Sequence, residues 1–227
     1  MTMTLREKIT HKPKWREQNY LPKRYVVCLM SFCGMTCVYM LRINLNLAIV
    51  AMVHPTNSSN SSVDNNECDF EDANSTVSDE YKGEFEWNEM TQGLILASFF
   101  WGYIWTQIPG GRLAELFGAK IVYGLAVFGS GVMTLLLPLA ANHSYKTLVA
   151  LRMILGAIQG VCSPATHALL SSWAPQNERS TLSAFVYAGG QFGTIIGFPV
   201  TALILEVYGW EAIFYIQGSI AILWTVF

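Results

Sequence analysis

Charge is scarce in this sequence. Asp, Glu, Lys and Arg make up 13% of its 227 residues, against roughly 25% in an ordinary soluble domain, and that shortage argues against a water-facing globular fold. Histidine and cysteine are scarce too, at four and five residues, and neither is spaced as metal ligands, so no metal site is expected. Cys28, Cys33, Cys37 and Cys162 fall inside apolar stretches, where thiols act as small packing groups. That leaves Cys68 alone outside them and excludes a disulfide framework. Within the apolar stretches there is no pair of carboxylates, no His-x-x-x-His helix and no phosphate-binding glycine loop. Ser163 and His167 stand at i, i+4, but nothing in the sequence orients the histidine. Catalysis therefore has no footing, and neither an enzyme nor a cofactor is expected.

What the chain has in abundance is apolar residues, 52% of the total, gathered in blocks long enough to cross a hydrocarbon core of roughly 30 Å. Six blocks are legible, at 25–53, 91–110, 119–141, 147–172, 180–206 and 210–227. The expected fold is an all-α membrane protein, a compact bundle of six spans. The first block is too long for a signal peptide, lacks a small-residue cleavage pattern and is followed by further spans.

The net charge of −2 hides a segregation. Residues 1–24 carry seven Lys or Arg and two acids, whereas 54–90 carry one Lys and ten acids. Basic flanks stay on the cytoplasmic side, which places 1–24 inside as a basic tail and 54–90 outside. A basic tail beside a span is a topology signal, so no nucleic-acid partner is expected; the chain's surroundings are membrane lipid. The outer loop is rich in Asn, Ser, Asp and Glu, a composition that cannot bury a core. Three N-x-S/T triplets in it, at Asn57, Asn60 and Asn74, mark expected glycosylation sites.

Between spans, Gly110, Gly111 and Gly118 predict a tight reversal after the second span, and Pro138 with "ANHSYK" (141–146) marks the end of the third. Gly156, Gly160, Pro164 and Ala168 recur every four residues on the fourth span, and Gly189, Gly193 and Gly197 on the fifth. Helices in lipid have no hydrophobic drive toward each other, so such small residues predict close helix contacts.

Two charges break the apolar pattern. Arg42 lies about 17 residues above the inner end of the first span, roughly 25 Å at 1.5 Å per residue, and Arg152 lies a few residues below the outer end of the fourth. An arginine at helix centre costs at least ~2.5–3.5 kcal/mol on insertion scales, and spans one to four hold no acid at matching depth. Three readings stand open: snorkelling to the headgroups, acidic partners from chain beyond this sequence, or a wet cavity where forked guanidinium donors meet carboxylate or phosphate. Gln159, seven residues after Arg152, shares its face. Tyr103 and Gln107 form an i, i+4 pair on the second span, and Asn44 flanks Arg42. Each is a candidate to line the same cavity or to bond between helices. His167, nearer the cytoplasmic end, reads as structural, and the aromatic run "FFWGYIW" reads as packing.

Three motifs then carry a resemblance. "LRINLNLAIVAMV" (41–53), "SFFWGYIWTQIPGGRLAELFGAK" (98–120) and "SSWAPQNERS" (171–180) resemble the anion-transporter family of the major facilitator superfamily, which includes sialin, the vesicular glutamate transporters and the sodium–phosphate cotransporters. The resemblance implies a transporter of twelve helices in two six-helix halves, of which this chain matches the first, with the C-terminal half as its expected partner. It implies alternating access around a midplane site, with 3+3 repeats inside each half. It aligns Arg42 and Arg152 with the two arginines of the family's first half that contact a small anionic substrate. Glu115 and Leu116 depart from the superfamily's 2–3 loop pattern, which has Asp and Arg there.

Other departures bear on coupling. The glutamate transporters carry histidine where this chain has Leu96, and they and sialin carry glutamate where it has Gln159. A glutamine cannot titrate, so a proton cannot be coupled through that position. The expectation is therefore a sodium-dependent symporter of phosphate or an organic anion in the plasma membrane. The alternatives are a proton-coupled, sialin-like carrier of acidic sugars or amino acids, with H+ in place of Na+, and a truncated product with an assembly or regulatory role.

Overall fold

A computed structural model describes residues 23–53 and 84–226. The basic tail through residue 22 and most of the acidic loop lie outside the described residues, and with them Cys68 and the triplets at Asn57, Asn60 and Asn74. In hydrocarbon every backbone N–H and C=O must be satisfied within the chain, and helices do that locally. The described chain accordingly runs as seven helices: α1 Lys23–Met52, α2 Glu89–Phe117, α3 Ala119–His143, α4 Tyr145–Gly160, α5 Cys162–Trp173, α6 Arg179–Tyr208 and α7 Trp210–Thr225. α4 and α5 are two pieces of one span, so the expected six spans are present. Four of them, α1, α3, α4 with α5, and α6, are long and apolar enough to cross a membrane.

Successive spans alternate in direction, which gives the bundle a Lys23 end and a Val53 end. At the first, Arg24 pairs with Glu178 of the α5–α6 connection at 3.6 Å. At the second, the Phe85 N–H donates to the Met52 carbonyl at 3.0 Å, and the Asn142 amide on α3 donates to the Glu211 carboxylate on α7 at 3.3 Å. α1 packs most closely on α6, α2 on α4 and α3 on α7. Exchanging spans one to three with four to six maps this pairing scheme onto itself, as the 3+3 repeat requires. The small residues do what their spacing predicts. A Cβ at Gly156 would run into the Phe99 carbonyl of α2, and one at Gly193 would stand 2.5 Å from the Thr36 carbonyl of α1.

Two apolar cores lie along the bundle axis. One, toward the Lys23 end, gathers Met35, Val38, Tyr123, Val127, Leu170 and Val186; the other, toward the Val53 end, gathers Leu45, Ile95, Phe99, Leu137, Leu155 and Phe214. Buried Ser130, Thr134, Gln159 and Gln217 fall between them in sequence on α3, α4 and α7. Arg42 falls in the same seam, between Leu41 and Leu45, whereas Arg152 lies within the second core, between Leu148 and Leu155.

Two sequence-based expectations need correction. α2 does not reverse at Gly110 and Gly111 but runs on to Phe117. Gly110 faces the α4–α5 junction, where a Cβ would stand 3.0 Å from Val161 Cα, so it serves a contact. The reversal waits for Gly118, whose φ of 91° is the conformation only glycine adopts cheaply. The third span ends within "ANHSYK", at His143, with Pro138 inside α3. The fourth span is broken at Val161, and Pro164 explains the break. Proline has no N–H to give the Gly160 carbonyl; Val161 N–H bonds back to Ile158 O at 3.4 Å, and regular bonding resumes with Ala165 N–H to Val161 O at 3.1 Å.

Candidate functional site: two guanidiniums on one aromatic ring

Arg42 projects from α1 into a cage of rings. Its Cζ lies 4.8 Å from the centroid of Tyr39, 5.1 Å from Phe99 and 4.7 Å from Tyr103. Arg152 reaches the same Phe99 from α4, with Cζ 5.7 Å from its centroid. One ring is therefore shared by both cations. The close α2–α4 contact at Gly156 fixes this arrangement, because Phe99 is the residue whose backbone Gly156 meets. Tyr103 stacks on Phe99 one turn along α2, with centroids 5.9 Å apart.

Snorkelling does not describe either residue. Arg152 is 1% exposed and its Nε and Nη1 have no partner; Arg42 is half-buried with an unpartnered Nε. Among the described residues no carboxylate pairs with either guanidinium; the ion pairs there are Arg24–Glu178 and Arg112–Glu115. A cation on a ring face gains about 0.5–2 kcal/mol, which offsets part of the burial cost but leaves the charge in place. Two like charges held against one ring also repel each other. The arrangement is thus a buried site of net positive charge with free, forked donors, and chemically it can bind an anion.

The remaining candidates are distributed around this centre. Gln159 is fully buried on the Arg152 face of α4, with both amide atoms unpartnered. Asn44 is also fully buried with both amide atoms unpartnered; two residues beyond Arg42, it turns to the opposite side of α1. Gln107 lies one turn past Tyr103 and is exposed. The structure thus brings Arg42, Arg152 and Tyr103 together directly, aligns Gln159 below Arg152, sets Gln107 at the edge of the cage beside the Tyr103 hydroxyl, and leaves Asn44 outside it. Sequence reasoning missed Tyr39 and Phe99. The signal for Tyr39 was present, three residues before Arg42 and so on the same face. Phe99 was hidden in an aromatic run in which Trp101, Ile104, Trp105 and Ile108 are exposed, and only the packing of α2 on α4 singles it out.

A six-span helical bundle with repeat-symmetric pairing and a buried cationic centre defines a class of polytopic membrane protein. The chain belongs to the Major Facilitator Superfamily, whose family model matches residues 27–227. It is similar to sialin from Homo sapiens, with 41% identity over 202 residues, 88% of this chain and 41% of that protein. It is similar to a putative inorganic phosphate cotransporter from Drosophila melanogaster, with 39% identity over 226 residues, 98% of this chain and 42% of that protein. Vesicular glutamate transporter 1 from Bos taurus is 36% identical over 207 residues, 91% of this chain and 34% of that protein. The chain spans less than half the length of the curated relatives it matches.

Proposed function

We propose that this chain forms the first half of a secondary active anion transporter that works by alternating access, with Arg42 and Arg152 holding the substrate. One observation carries the reading: two guanidiniums, Arg152 buried and Arg42 half-buried, share the Phe99 ring and have no carboxylate partner among the described residues. An anion supplies the missing charge. The favoured substrate is inorganic phosphate or an organic anion moved with sodium. Gln159 supports this, because it is buried on the Arg152 face and holds no exchangeable charge. In this reading residues 1–24 are cytoplasmic, the 54–90 loop is outside and glycosylated, the C-terminal half closes the other wall of the pathway, and the protein resides in the plasma membrane.

A second reading, proton-coupled transport of acidic sugars or amino acids, is favoured by the 41% identity to sialin. Its proton carrier would have to be a group other than Gln159. Uptake of labelled phosphate and labelled sialic acid by the complete transporter, under a sodium gradient and separately under a proton gradient, separates the two. Sodium-driven phosphate uptake is expected; proton-driven sialic acid uptake without sodium would replace the first reading by the second.

A further inference from the structure

On the Lys23 side of Arg42 stands a group of side chains that the arginine site does not use. Tyr103 Oη on α2 is 3.4 Å from Ser163 Oγ on α5. Tyr187 Oη on α6 donates to the Ser163 carbonyl at 3.1 Å, and the Tyr187 ring lies 4.9 Å from the His167 imidazole, tilted by 35°. Three spans thus meet at Ser163, just past the break at Val161. Tyr103 joins the group to the cage, since its ring also covers Arg42. The tyrosine ring supplies what the sequence alone did not show, a neighbour that orients His167.

Counting protons shows what remains to be donated. Tyr103 and Ser163 share one hydroxyl proton between them, which leaves the other free to donate. The Tyr187 proton is committed to a backbone carbonyl, so its ring serves to hold the imidazole. His167 is exposed, makes no ion pair with a carboxylate among the described residues, and offers an N–H. The other titratable or charged groups near this cluster are Cys162 beside Ser163, and Tyr39, Tyr103, Tyr123 and Arg42 on the neighbouring helices. Ser163 and His167, four residues apart, lie one above the other at about 6 Å along α5. Two donors at that spacing suit two oxygens of one carboxylate or phosphate.

We propose that Ser163, Tyr187 and His167 form a second oxyanion station, between the arginine cage and the cytoplasmic end, which receives the anion through Tyr103 as it leaves Arg42. The inference rests on the transport reading. Hydroxyl and imidazole donors hold an anion more weakly than two guanidiniums do, and conduction along a path needs sites that release as well as bind.

The test uses the complete transporter in membrane vesicles of both orientations, with labelled phosphate and labelled sialic acid in parallel and whichever accumulates carried forward. His167→Ala is expected to raise KM measured from the cytoplasmic face about tenfold, one hydrogen bond's worth, and to change KM from the outer face less than about twofold. His167→Gln, which keeps an N–H donor, recovers most of the loss. Tyr187→Leu, which removes the ring that holds the imidazole, tests the cluster should His167→Ala fail to reach the membrane; it too raises the cytoplasmic-face KM alone. Equal shifts on both faces, or none on either, overturn the second station. Arg42→Ala run alongside abolishes transport from both faces; wild-type rates in that variant, or no accumulation of either anion by the unsubstituted protein, would instead remove the transport reading beneath it.

Discussion

Arg42 and Arg152 carry the same charge in different settings: one half-buried among three rings, the other closed off with two nitrogens unpartnered. Phe99 joins them, and its role is electrostatic as well as steric. Phe99→Leu keeps a large apolar side chain and removes the ring face from both cations. Uptake kinetics in that variant should show KM raised about three- to tenfold with surface expression retained, the range expected for losing about 0.7–1.4 kcal/mol of cation–π attraction. Gln159 sets a second prediction. Gln159→Glu places a titratable group on the Arg152 face, and uptake should gain a dependence on an inward proton gradient that the parent lacks; gradient-imposed vesicle uptake checks this. Both arginines were legible in the sequence, because a charge in an apolar span is conspicuous and costly. The ring between them was not. An aromatic residue in an apolar helix has no excess cost to betray it, and its partner comes from a helix some 50 residues away, placed there by Gly156.

At the scale of the helices, spacing of small residues proved the most readable feature. Gly156 and Gly193 each sit where the neighbouring helix backbone passes too close for a side chain. Gly156→Val should therefore separate α2 from α4, displace Phe99 from both guanidiniums, and reduce folded protein at the membrane sharply. Detergent-solubilised yield and size-exclusion profile would report it, and a monodisperse, wild-type yield would contradict the packing. Helix ends were less readable. A glycine pair after a proline signals a turn in water, but in a membrane bundle Gly110 lets α2 pass the α4–α5 junction. The break at Val161 was hidden for the opposite reason. Pro164 was read as one more small residue in a packing stripe, although its missing N–H is what leaves the Gly160 carbonyl without a helical donor.

For the whole molecule, the number of spans, their alternation and the seam between two apolar cores follow from block lengths and from the need to satisfy backbone groups in lipid. The pairing of α1 with α6, α2 with α4 and α3 with α7 does not follow from block lengths; it emerges from packing, and its repeat symmetry matches the superfamily. Orientation is a statement about the whole chain and is tested as one. With residues 1–24 inside and the acidic loop outside, glycosidase treatment should increase electrophoretic mobility, and Asn57→Gln, Asn60→Gln and Asn74→Gln should each remove part of that shift. No shift in any of them, together with an N-terminal tag accessible from outside intact cells, would invert the topology.

The most direct measurement of the central claim is the initial rate of anion uptake by the complete transporter carrying Arg42→Ala or Arg42→Lys, each normalised to protein at the cell surface. Losing a forked, charge-assisted contact from a buried site should lower uptake at least about a hundredfold in Arg42→Ala. Lysine, a point charge without the planar fork, should restore less than about a tenth of the wild-type rate. Wild-type uptake by Arg42→Ala at equal surface expression would contradict the account, because the positive charge in the middle of the bundle would then have no part in meeting the anion.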